Sequence, residues 1–281
     1  TNNGTLNLPL GYVTYYSGVG ASMSGTVTVN VTLGTGADNA PLDGDYSGFS
    51  GTWNIGVGAS AGAAKVRMNG TDNPAATVNV LSNGTLYVAA PNTHNATAVL
   101  WGGDLGQNLG QLRLDSGAEW AGAVKLAGDI TDAADGLVGS YTGTGIVSGV
   151  ISDLGDARLL KKVGAAIISF TGTNNTYAGP TWVAAGTLWA TKLANLGEPS
   201  SLGQPTSAGN NVLQLGSGTT AARFTYTGTG DTTDRKIDLA GTTGGATLEQ
   251  AGSGTLTFTS DVAYSGLGNK ALSLQGSTSG V

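Results

Sequence analysis

A five-residue template recurs along this chain and leaves few folds open to it: glycine, threonine, leucine or valine, any residue, then an apolar residue. It stands at Gly4-Thr5-Leu6-Asn7-Leu8, Gly25-Thr26-Val27-Thr28-Val29, Gly84-Thr85-Leu86-Tyr87-Val88, Gly186-Thr187-Leu188-Trp189-Ala190 and Gly254-Thr255-Leu256-Thr257-Phe258. Glycine turns the corner, the two apolar positions point inward, and the residue between them points out. The intervals are near multiples of about 20 to 23 residues, the range of β-helix coils. Strands this short cannot each bury a face alone. They must stack on copies of themselves.

Between template copies run further period-two segments: Thr77-Val78-Asn79-Val80, Leu112-Arg113-Leu114, Val124-Lys125-Leu126, Val212-Leu213-Gln214-Leu215, Lys236-Ile237-Asp238-Leu239 and Leu272-Ser273-Leu274. Arg113 and Lys125 fall on the outward parity, as charged residues should. Asn39-Ala40-Pro41-Leu42-Asp43-Gly44-Asp45 reads as a loop. Tyr46-Ser47-Gly48-Phe49-Ser50-Gly51-Thr52-Trp53 resembles the aromatic rungs of bacterial surface proteins, a resemblance that implies an aromatic stacked on the aromatic of the next coil. Gly 48 among 281 residues, scattered without a triplet period, excludes collagen. A chain that is 40% hydrophobic and 11% charged is unlike a disordered one. No composition break divides residues 1–281, so one continuous solenoid is expected; if a boundary exists it is near residue 40.

The densest stretch, residues 146–203, also carries a resemblance. Asn175-Thr176-Tyr177-Ala178-Gly179, then Thr181-Trp182-Val183, then Ala185-Gly186-Thr187-Leu188 is similar to the passenger-associated repeat of bacterial autotransporters, and Lys161-Lys162 retains that family's basic residue. Ala165-Ala166-Ile167 and Pro180 depart from the family pattern. The resemblance implies an all-β, right-handed parallel β-helix on the bacterial surface or outside the cell, acting in attachment or matrix formation. About a dozen coils are expected, a rod on the order of 60 Å at one rung per 4.8 Å.

Charge and composition limit the partners. The net charge is −6 and the pI about 4.5, with no basic stripe to neutralise phosphates, so nucleic acid is not expected. No apolar run approaches a membrane span, the longest candidate being Val163 to Phe170, so no membrane insertion is expected within this chain. Cys 0 agrees with a bacterial surface protein without disulfides. The chain starts at Thr1 without a visible signal peptide and stops in Gly276-Ser277-Thr278-Ser279-Gly280-Val281, a turn without a capping helix. It is therefore expected to be a processed or excised piece, its ends held by more chain or by neighbouring subunits stacked end to end.

The chemistry-bearing residues are few. His94, the one histidine, sits in a polar turn and is expected to be solvated; it and the absence of cysteine exclude ordinary zinc, haem and iron–sulfur sites, and no cofactor is expected. The enzymatic alternative is a polysaccharide lyase or glycosidase, which needs two neighbouring carboxylates. Candidate pairs are Asp43 with Asp45, Asp132 with Asp135, Asp153 with Asp156, and Asp231 with Asp234, with Arg158 or Arg235 as a basic partner. All the pairs sit in glycine-rich turns, where Asp is also a turn-former, and that reading is favoured. Gly102-Gly103-Asp104-Leu105-Gly106 is only a partial echo of a calcium-binding repeat. Trp53, Trp101, Trp120, Trp182 and Trp189, with Tyr15, Tyr16, Tyr141, Tyr177, Tyr226 and Tyr264, make either a stacked core or an outward sugar platform. Parity sends Trp189 outward. Glycosylation sequons at Asn3, Asn30, Asn69, Asn83, Asn95 and Asn174 double as corner chemistry. The expected partner is a host or environmental surface, polysaccharide included; the alternatives are a self-assembling filament subunit and a carbohydrate-active β-helix.

Overall fold

The computed structural model describes residues 5–10, 22–33, 40–56, 64–82, 84–89, 91–103, 106–128 and 135–276. Within them the chain is all β, without a helix, and so without one long and apolar enough to cross a membrane. It winds as a parallel β-solenoid of three faces. One face is a seven-stranded sheet formed by Thr5–Leu10, Thr28–Leu33, Thr52–Ile55, Thr77–Val80, Thr97–Leu100, Val124–Leu126 and Ile151–Asp153. The second is nine-stranded and runs from Ala40–Pro41 to Lys236–Leu239; the third is eight-stranded and runs from Thr93–His94 to Leu272–Gly276. A short parallel pair, Asp231–Thr233 with Leu256–Phe258, completes the sheets.

About a dozen coils are expected for the whole chain, and the nine-stranded sheet corresponds to about nine turns in the described residues. At about 4.8 Å per rung they make a rod on the order of 40 Å. The coils are not uniform in length. Thr77 lies beside Thr97, twenty positions on, whereas Gly186 lies beside Ala222, thirty-six positions on. Only the strand segments must keep register; corners can lengthen into excursions.

Register explains the core. Each rung sets its inward side chain directly on that of the previous coil, giving columns such as Val31–Ile55–Val80–Leu100–Leu126 on the seven-stranded sheet and Ile168–Leu188–Phe224–Leu248 on the eight-stranded one. Most of these side chains are fully buried, and each contributes about 2 kcal/mol by leaving water. The aromatic cluster differs from expectation. Tyr46 and Phe49 both pack on Trp53 of their own coil, at centroid distances of 5.3 and 4.8 Å. Trp53 has Val29 and Val78 as its rung neighbours, so its column is aliphatic.

The stretch with the repeat resemblance shows what its odd residues do. Lys162 falls on the inward parity, between Val138 and Val183, and is 1% exposed. Its Nζ donates to the carbonyl oxygens of Gly164, Ala166 and Ala185, at 2.6, 2.6 and 2.8 Å. Three carbonyl acceptors thus converge on one amine at this corner. Gly186, at φ +65°, is needed there because a Cβ would collide with that amine. Asn175 is buried and clamps two other coils: its Oδ1 accepts from Ile151 N and its Nδ2 donates to Ser201 O. Tyr177 is fully buried with its hydroxyl on Thr181 Oγ1 at 2.7 Å.

A polar cleft built from three successive corners

The corners preceding Thr52, Thr77 and Thr97 stack to form a cleft of about 750 Å³ lined by Asp43–Asp45, Ser47, Asn69–Asp72 and Pro91–Thr93 with Asn95. Every wall is stitched to the next by short side chains. Asp43 accepts from Arg67 and from Asn69 N. Asp45 accepts from Ser47 N and Thr71 Oγ1; hydrogen bonds from Thr71 and Ser47 bring its carboxyl down to about 2. Asp72 accepts from Asn95 N and Ala96 N at 2.7 and 2.6 Å. Burial works against its charge, but the His94 side chain and those two amides outweigh it and hold its pKa below the ordinary value. The cleft therefore offers hydroxyls, amides and standing negative charge, within the size range of small-ligand sites.

His94 is not solvated, contrary to expectation. It is 0% exposed and faces inward, stacked on Trp120 at 5.5 Å and 20°, with Nδ1 3.7 Å from Asp72 Oδ1. The register places it directly under Trp120, so it serves as an aromatic of the core column.

The candidate carboxylates hold backbone. Asp153 Oδ1 accepts from Arg158 N and its Oδ2 from Ala178 N; burial, opposed by those amides and Arg158, pushes it up to about 6. Asp135, on the neighbouring coil, accepts from Leu159 N at 2.8 Å; Asp132 lies outside the described residues, and Asp156 is exposed. The structure thus brings Asp135, Asp153 and Arg158 into one neighbourhood, but each carboxylate is turned to a main-chain amide. Asp231 accepts from Leu193 N and the Tyr226 hydroxyl, and Asp234 from Leu196 N and Asn211 Nδ2. This pair ties the long excursion after Ala190 to the following coil. Arg235 is buried beside Tyr177 and Asp234, and desolvation lowers its pKa. No group of three or more His, Asp or Glu able to hold a metal occurs among the described residues; Asp104 and Leu105 lie outside them.

The aromatics divide between core and surface. Trp53, Trp120, Tyr177 and Tyr226 are core. Trp101 and Tyr141 are exposed at 41% and 65%, and Tyr264 at 76%. Trp182 lies under Lys161 Nζ, 4.0 Å from the ring centroid, with Nε1 donating to Gly216 O. Trp189 faces outward on the eight-stranded sheet and is half-buried, as parity requires. Trp101, Trp182 and Trp189 sit on or beside three different sheets, so these outward tryptophans do not share a platform. Tyr15, Tyr16, Asn3 and Asn83 lie outside the described residues; Asn95 and Asn174 are exposed, Asn69 accepts from Ala89 N, and Asn30 belongs to a ladder described below.

Comparison with known proteins bears on this architecture directly. The family described as passenger-associated-transport-repeat matches residues 160–190 and 248–269. The adhesin BmaC autotransporter of Brucella suis biovar 1 (strain 1330) is 32% identical over 298 aligned positions, covering 95% of this chain. The chain is an autotransporter passenger-like repeat protein. It spans 8% of the length of that curated relative. No solved structure matches significantly. The first matched copy contains Lys162, Asn175, Tyr177 and Gly186, whose joint role no outward-inward parity rule could supply. The cleft was also not legible, although its raw signal, Asp and Asn at corners 23 to 26 positions apart, is present in Asp45, Thr71, Asp72 and Asn95.

Proposed function

We propose that the chain is a non-catalytic segment of an extracellular adhesive passenger on a bacterial cell, associated with the outer membrane through parts of a longer protein. The solenoid is wound right-handed, the sense that twisted parallel strands impose on their connections, and residues 1–281 act as one continuous body. The single observation that carries the reading is the fate of the candidate carboxylates: Asp135, Asp153, Asp231 and Asp234 bind main-chain amides of other coils, and so hold the rod together. The adhesin relative supports the same assignment.

Beads coated with the purified chain test it. They should remain on host matrix or polysaccharide-coated surfaces under flow where albumin-coated beads wash off, with no unsaturated or reducing sugar released. Retention equal to albumin removes the adhesive reading; sugar release replaces it with the carbohydrate-active one.

A second reading, end-to-end association, has its own observation. At the last described rungs an apolar trough of about 250 Å³ opens between Phe224, Leu248, Leu256, Phe258 and Leu274, with Leu274 75% exposed.

A further inference from the structure

We propose that the outer face of the seven-stranded sheet, next to the cleft, is a docking strip for a neutral polysaccharide; this rests on the adhesive reading and names its ligand class. The register places Thr28, Thr52, Thr77 and Thr97 in one outward column, and Asn30, Asn54 and Asn79 in a second. All seven side chains are half-exposed, while the residues between them are buried.

The second column is ordered by its own bonds. Asn54 Nδ2 donates to Asn30 Oδ1, and Asn79 Nδ2 to Asn54 Oδ1, each at 2.8 Å. An amide has two N–H donors and two oxygen lone pairs, so a bond on each side fixes Asn54, a single bond anchors Asn79, and both keep capacity on the solvent side. The threonine hydroxyls donate and accept equally. The result is a grid of neutral two-way hydrogen-bonding groups, about 4.8 Å apart between rungs and about 6.8 Å apart along each strand.

Charge selects the ligand. The outward positions of the four strands from Thr28–Leu33 to Thr97–Leu100 carry no ionised group, Lys125 of the next strand marking the end of the strip, whereas Asp43, Asp45 and Asp72 stand at the corners of the same coils. Asp45 and Asp72 are held ionised by their bonded neighbours. An anionic polymer lying on the strip meets that row of carboxylates; a neutral polymer of hydroxyls meets matched donors and acceptors and can enter the cleft. A flat array repeated over the three rungs of Thr28, Thr52 and Thr77 suits an extended chain more than a small molecule.

The test compares the whole chain with a Thr28→Val, Thr52→Val, Thr77→Val variant, which removes three hydroxyls and keeps β-branched residues of the same shape. Binding to dextran and cellohexaose, with alginate as the anionic control, is measured by calorimetry, alongside melting temperature and sedimentation. The expected result is binding to at least one neutral glycan, weakened by about tenfold or more in the variant, with unchanged melting and weaker or absent alginate binding. Equal neutral-glycan binding by both proteins, none by either, or a stronger response to alginate overturns the proposal. So does loss of dimers in the variant without any glycan effect, which would assign the grid to self-contact. Coated beads that still adhere after the variant fails to change glycan binding sink this strip while leaving the adhesive reading intact; wild-type beads that do not adhere sink the reading itself.

Discussion

The two matched repeats, residues 160–190 and 248–269, are one motif in two settings. Phe170 in the first is 0% exposed, and its positional equivalent Phe258 is half-exposed. Tyr177 is fully buried, whereas Tyr264 is 76% exposed. Gly179 and Gly266 both pass so close to the preceding coil, at Arg158 O and Gly241 O, that a Cβ would collide with backbone. Even the basic residue has a counterpart: where Lys162 donates to Ala166 O, Gln250 Nε2 donates to Gly254 O, four positions on in each case. The local chemistry is therefore kept while the burial is not. The first copy has described coils stacked on both sides; above the second, among the described residues, lies only the strand Leu272–Gly276 of the eight-stranded sheet. A repeat writes its own corner, and its neighbours supply the core.

Substitutions at equivalent positions sharpen that contrast. The largest difference is expected from truncating the aromatics: Phe170→Ala should cost about 3–5 kcal/mol by leaving a cavity in a closed column, and Phe258→Ala about 1 kcal/mol, because its site is already open to water. Chemical denaturation checks this, and equal losses would mean that the second copy is covered in solution. The next difference lies at the corner. Lys162→Met takes the donor from three carbonyls at once and should cost about 2–3 kcal/mol, while Gln250→Met removes a neutral contact and should cost less than about 1 kcal/mol.

The smallest effect is a pH dependence confined to the first copy. Burial lowers the Lys162 amine to about 7 from its ordinary 10.5, and the three carbonyls oppose that fall. Between those values the unfolded chain binds a proton that the folded chain sheds, so stability rises with pH across the window and is lost as pH falls toward 7. The melting temperature of the wild type should climb by about 2 °C more than that of Lys162→Met between pH 7 and 9.5. Parallel curves would show that the carbonyls keep the amine protonated throughout.

The same contrast separates what could be read in advance from what could not. The inward places of Leu188, Leu112, Val124 and Leu213 follow from alternation between glycine corners, and so does the outward place of Trp189. Lys162 and His94 break the rule that polar residues face out, because their partners are carbonyls and a tryptophan in other parts of the coil or in the next one. The threonine and asparagine columns were written in the chain as Thr28-Val29-Asn30, Thr52-Trp53-Asn54 and Thr77-Val78-Asn79. Nothing local shows that they align, since the intervening corners differ in length.

Alternation and glycine placement thus settled which segments are strands and which way each side chain leaves the backbone, for these depend on residues one or two positions away. Coil number, column membership, the cleft and the burial of Lys162, Asn175 and Tyr177 depended on which rung lies above which. That pairing joins residues 20 to 36 positions apart, and only a chain already wound into its stack brings them into contact.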